Sequence, residues 1–209
     1  MSGRVLSALR RAPFTLALAA AIVAVTLATS GPGLTARPEV IDRWGWALHD
    51  LWDGAWWSLV TAVFLNHRPY LVAVTVAFVA ASAGVLEWVG GTRRALAVFW
   101  GGDLAATLAI SLGLVLPLYL AGTEVGRTLA YADDVGMSGG GFACLGAWVG
   151  RLPQRWRRLA IATVVVYLAV DLGSVGDLEA DLLHAVAFPV GMLLDRALTR
   201  RRRAEPTRA

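Results

Sequence analysis

The chain has 209 residues, 57% of them hydrophobic and 16% charged, which is too apolar for an ordinary soluble domain of that length. Its net charge of +4 raises the possibility of a nucleic-acid partner. The basic residues are all arginines, however, and they are parcelled out between apolar runs instead of forming one basic face, which excludes that class in favour of a lipid bilayer. Cys144 is the only cysteine, so no intrachain disulfide can form.

Six apolar stretches follow in chain order: Pro13–Ser30, Pro69–Val89, Ala95–Ala121, Gly136–Gly150, Trp156–Gly173 and Ala180–Leu198. Backbone groups in lipid must be satisfied within their own segment, so each is expected to be a helix. The expected fold class is therefore all-α, a six-transmembrane-helix bundle over 13–198, with a basic N-terminus (1–12) and a basic tail (199–209). The last stretch carries too many ionisable residues to face lipid all round and belongs inside the bundle.

Charge sorts the connections into two classes. Arg4, Arg10 and Arg11 precede the first stretch, Arg93 and Arg94 follow the second, and Arg151, Arg155, Arg157 and Arg158 follow the fourth. Arg196, Arg200, Arg201, Arg202, Arg203 and Arg208 close the chain. The other three connections hold most of the acids: Glu39, Asp42, Asp50 and Asp53, then Glu124, Asp133 and Asp134, then Asp177, Glu179 and Asp181. Basic loops stay in the cytoplasm, so both termini are expected there, in a multi-pass protein of the cell membrane. Arg10-Arg11, an apolar run and Ala28-Thr29-Ser30 also fit a cleavable signal peptide, which would leave five spans and the same orientation for the rest.

The first acidic connection is rich in tryptophan, with Trp44, Trp46, Trp52, Trp56 and Trp57. Trp44, Leu48, Leu51 and Ala55 recur at helical spacing, which suggests an amphipathic helix in the outer interface; a plain aromatic belt is the alternative.

Two polar features stand inside apolar stretches. The fourth begins Gly136-Met137-Ser138-Gly139-Gly140-Gly141-Phe142. From Ser138 to Gly150, at 1.5 Å per residue, a helix covers only about 18 Å of a core roughly 30 Å thick. Ser138 is thus expected at a helix N-terminus some way below the outer surface, where unpaired N–H groups suit an oxyanion. His184 follows Asp181 by about one turn and lies at a similar depth from the same side. A serine needs a base to take its proton, and a neutral imidazole does this near pH 7, so Ser138 and His184 are a candidate dyad. Each has a structural reading too: small residues line membrane helix contacts, and a lone histidine often bonds a neighbouring helix. Asp103 is expected to be structural. With His184 it would also serve a transporter or channel, but the polar residues cluster at one face and do not cross the bilayer. Nothing in the sequence calls for a cofactor or metal.

These residues resemble the signature of the rhomboid intramembrane serine proteases. The fourth stretch reads Gly136-x-Ser138-Gly139-x-x-Phe142-Ala143-x-x-Gly146, and the sixth reads His184-x-x-Ala187-x-x-x-Gly191, where the family has His-x-x-Gly-x-x-x-Gly. The segment from Trp57 to Leu65 is similar to the family's approach to its second helix, and Glu87-x-x-Gly90-Gly91 to that helix's end. The resemblance covers roughly 56–198. It implies a catalytic pair of Ser138 as nucleophile and His184 as general base and acid, with no aspartate. It implies that Gly136 and Gly139 shape the turn, that Phe142 packs on the imidazole, and that substrates are transmembrane segments entering between the second and fifth helices.

The sequence departs from the family at two further places. Where the family's second helix supplies a His-x-x-x-Asn pair for the oxyanion, this chain has Leu71 and Thr75, and Trp57-Ser58 stands for the family's Trp-Arg. Leucine donates nothing; threonine donates one bond. His67 lies about one turn from the expected place. The alternative expectation is therefore a pseudoprotease that binds transmembrane helices without cutting them.

Overall fold

The computed structural model describes residues 11–173 and 178–204, and among them it is all-helical. Arg4, Arg10, Asp177 and Arg208 lie outside the described residues. Among the described residues the chain is organised by the helices α1 (Pro13–Thr29), α2 (Pro38–Trp44), α3 (Asp50–Asp53), α4 (Ser58–Thr61), α5 (Pro69–Gly90), α6 (Thr92–Leu120), α7 (Glu124–Ala130), α8 (Ser138–Val149), α9 (Gln154–Gly173) and α10 (Leu178–Ala204). A helix falls on each of the six apolar stretches. Among the described residues, three helices are long and apolar enough to cross a membrane: α5, α6 and the Leu178–Arg201 part of α10. The apolar helix α1 is shorter, at 17 residues.

Local chemistry explains where the helices start and stop. Pro13 opens α1 at a position whose missing N–H costs nothing. Ala12 has no capping side chain, and Glu87 from α5 does that work instead. Its carboxylate accepts the N–H groups of Phe14 (3.0 Å) and Thr15 (2.8 Å), and the hydroxyls of Thr15 and Thr92. At the other end of α1, Arg37 donates to the carbonyls of Ala28 and Thr29, which the helix leaves unpaired. Gly91, at φ +84°, supplies the left-handed residue that turns α5 directly into α6.

The amphipathic helix expected around Trp44–Ala55 does not form as one element. Gly45 leaves α2 in an extended conformation, and Trp46 then pairs its backbone with Asp134 in an isolated bridge. Trp46 and Leu48 are buried, and the Asp50 carboxylate accepts from the Ala47 N–H and the Ser58 hydroxyl to fix the turn that follows. Trp44, Trp52, Trp56 and Trp57 stay exposed, which agrees with an aromatic belt.

At the centre lies α8, packed between α6 and α10. Its small residues permit a backbone-to-backbone approach. A Cβ on Gly146 would collide with the carbonyl of Phe188, and one on Gly191 with the carbonyl of Ala143. On the α6 side, Gly102 is closed off by the Ala143 methyl. At the end of the bundle that carries the arginine-rich turns, Asp195 of α10 binds Arg94 of α6 (3.1 Å) and Arg151 after α8 (2.7 Å). Arg94 and Asp195 are both buried, so this cluster ties the three helices together where their charges have least access to water.

Candidate active site

The N-terminus of α8 is built from outside the helix. Residues Asp134 to Met137 are non-helical, and bonds to other segments of the chain hold their backbone in place. The Trp46 and Asp134 amides exchange bonds with each other's carbonyls, and the Gly136 N–H donates to the Ala62 carbonyl at 2.9 Å. Gly136 holds φ +125°, which an L side chain rarely adopts. Irregular backbone of this kind is what a helix starting part-way down an apolar bundle requires. Ser138 is the first residue of α8, with Met137 buried behind it.

Asp103 of α6 is part of this construction. It is buried, its Oδ1 lies so close to Gly139 that a Cβ there would come within 2.5 Å, and its carboxylate accepts from the Gly140 N–H. The acid expected to be structural thus caps α8 from a neighbouring helix and meets one of the free amides at its N-terminus.

His184 sits on α10 beside α8. Its ring stacks on Phe142, one turn beyond Ser138, with ring centres 4.4 Å apart and planes inclined at 21°. Phe142 in turn touches Phe78 of α5 (5.3 Å) and Tyr167 of α9 (6.2 Å), so the imidazole belongs to an aromatic cluster that spans four helices.

Ser138 and His184 line one cavity of about 960 Å³. It lies between α5, which contributes Leu71, Thr75 and Phe78, and α9, which contributes Thr163 and Tyr167. Val74 and Tyr167 on its two edges are more than half exposed, so the cavity faces outward between these helices. Of the residues singled out in the sequence, the structure brings Ser138, His184, Gly136, Phe142, Leu71 and Thr75 to this space. Gly139 packs away from it, against Asp103 and Leu183.

Asn66 and His67 also line the cavity, and Asn66 was not singled out by sequence. The Asn66 amide donates to the Thr75 hydroxyl at 3.3 Å, and its carbonyl accepts the Arg68 N–H at 2.9 Å. His67 is exposed, and a ring nitrogen lies 3.2 Å from the Asp133 carbonyl oxygen. The signal for both was a polar run, Asn66-His67-Arg68, placed directly before the Pro69 that opens an apolar helix. Nearby, burial and the negative charge of Asp42 hold the Asp133 carboxyl above its usual range.

The geometry provides a hydroxyl at a helix N-terminus, an oriented imidazole and an outward-facing pocket with apolar walls and few polar groups. Those are the parts of acyl-transfer chemistry. No family model matches the chain, and no curated protein sequence matches it.

Proposed function

We propose that this chain is a rhomboid-like intramembrane serine protease that cuts transmembrane segments of other membrane proteins. The observation that carries the reading is the shared cavity: Ser138 at the start of α8 and His184, stacked on Phe142, line one space between α5 and α9. In this reading the six apolar segments form the membrane bundle, both termini are cytoplasmic, and the end bearing Ser138 is the outer one. The arginine-rich turns at the opposite end of the bundle support that orientation.

The chemistry follows the dyad. Ser138 Oγ attacks the substrate carbonyl carbon while its proton passes to the His184 imidazole. The carbonyl π pair moves onto oxygen, giving an alkoxide beside the amides at the α8 N-terminus. Collapse re-forms the carbonyl, breaks the C–N bond, and delivers the imidazolium proton to the departing amine. Water then repeats the sequence on the acyl-enzyme, releasing a carboxylic acid and restoring Ser138. Substrate enters laterally between α5 and α9.

A second reading, a pseudoprotease that binds transmembrane helices, is favoured by Leu71, which presents a hydrocarbon where the resemblance implies an oxyanion donor. Cleavage of a single-span model substrate in proteoliposomes separates the two. The protease reading predicts a cut near the outer end of the span, lost in Ser138→Ala and in His184→Ala. Retained substrate binding without cleavage in the wild type would establish the pseudoprotease instead.

A further inference from the structure

We infer that Asn66, buttressed by Thr75, donates the side-chain hydrogen bond to the oxyanion at this site. The inference rests on the protease reading above and supplies a donor that Leu71 cannot.

Helix register places these groups at the right level. Phe78 of α5 and Phe142 of α8 are in ring contact, and a Cβ on Gly141 would come within 2.5 Å of the Phe78 ring. One turn toward the helix N-termini from that contact lies Thr75 on α5 and Ser138 on α8. Both line the cavity, as does Asn66. The Asn66 side chain is held at both of its polar atoms. The Arg68 backbone N–H is a donor only, so the group it bonds must be the Asn66 carbonyl oxygen. The amide nitrogen therefore points toward Thr75, whose hydroxyl accepts one of its two N–H bonds. In this proposal the second N–H of the amide serves a ligand in the cavity that Asn66 lines. Thr75 is itself tied to α5 by donating to the Leu71 carbonyl at 3.4 Å. A loop asparagine fixed in this way is preorganised: it need not reorient when charge develops, which is what makes an oxyanion donor effective. Its bond strengthens only as the carbonyl becomes an alkoxide, so its removal should lower kcat and leave KM nearly unchanged.

The test is cleavage of the model substrate by full-length protein carrying Asn66→Ala, Asn66→Asp, Thr75→Val or Thr75→Ser, with melting curves for each. Asn66→Asp keeps the acceptor for the Arg68 N–H and loses the donor; Asn66→Ala loses the donor without adding charge. Both should lower kcat by about 100- to 1000-fold with KM and melting little changed. Thr75→Val should lower kcat by a smaller factor, and Thr75→Ser should restore it. Parent-like kcat in Asn66→Ala, even if Asn66→Asp is slow, overturns the role of Asn66 while leaving the Ser–His reading intact. A parent that neither cleaves nor reacts with a serine probe at Ser138 overturns both.

Discussion

Replacing Gly191 with alanine tests whether the close approach of α8 and α10 is what makes the site. The added Cβ would land on the Ala143 carbonyl, well inside the 3.0 Å that real Cβ atoms keep, and the obstacle is backbone, which cannot rotate away. The two helices must separate by something on the order of 1 Å, and overpacking of this kind costs about 1–3 kcal/mol. Catalysis should suffer more than stability. Displacing catalytic groups by about 1 Å costs on the order of 100-fold in rate, and here the moved helices carry Ser138 and His184. The assay is the rate of Ser138 labelling by a fluorophosphonate, read beside a melting curve in detergent. Gly113→Ala is the control, because nothing lies within 4 Å of its added Cβ. It should label at the parental rate. A Gly191→Ala protein with parental labelling and melting would refute the claim that this contact positions the dyad.

Three other substitutions probe the supporting structure. Asp195→Ala leaves Arg94 buried without its counter-charge and should cost about 3–5 kcal/mol, seen as a large drop in melting temperature. Asp103→Leu strips the acceptor from the Gly140 N–H and should destabilise by about 1–3 kcal/mol, whereas Asp103→Asn keeps an acceptor and should lose less; both are read by melting. Asp133 has a raised carboxyl pKa in the fold, so the folded state holds its proton more tightly than the unfolded one and stability is lost as pH rises through that range. Asp42 and Asp50 push this shift up and His49 and His67 oppose it. Asp133→Asn should therefore melt higher than the parent at neutral pH, with the difference closing as the pH falls below the carboxylate range.

Much of the fold was legible because lipid-length apolar runs admit few structures. Hydropathy marked the helices, and glycine and arginine marked several of their ends, as at Gly91 and Arg151. The shortness of α8 and the place of Ser138 at its start were legible in the extent of its apolar run. The connection after α1 was not legible, because Trp44, Leu48 and Leu51 share a helical spacing that Gly45 and the Trp46–Asp134 bridge override. That bridge joins residues 88 positions apart, and periodicity carries no information about such pairs. Likewise Ser138 and His184 could be matched by depth, but Asn66 could not. Its place in the cavity depends on a bond to Thr75 across the Pro69 turn, a tertiary contact without local pattern. Glu87 and Asp195 were missed as organisers for the same reason: their partners lie on other helices.

The most direct test of the central claim is the intact mass of the purified protein after reaction with a fluorophosphonate, with the adduct mapped by peptide fragmentation. An activated serine should yield a single adduct on Ser138, absent from Ser138→Ala and strongly slowed in His184→Ala. A folded protein that takes up no adduct, or takes it up on another residue, would contradict the account.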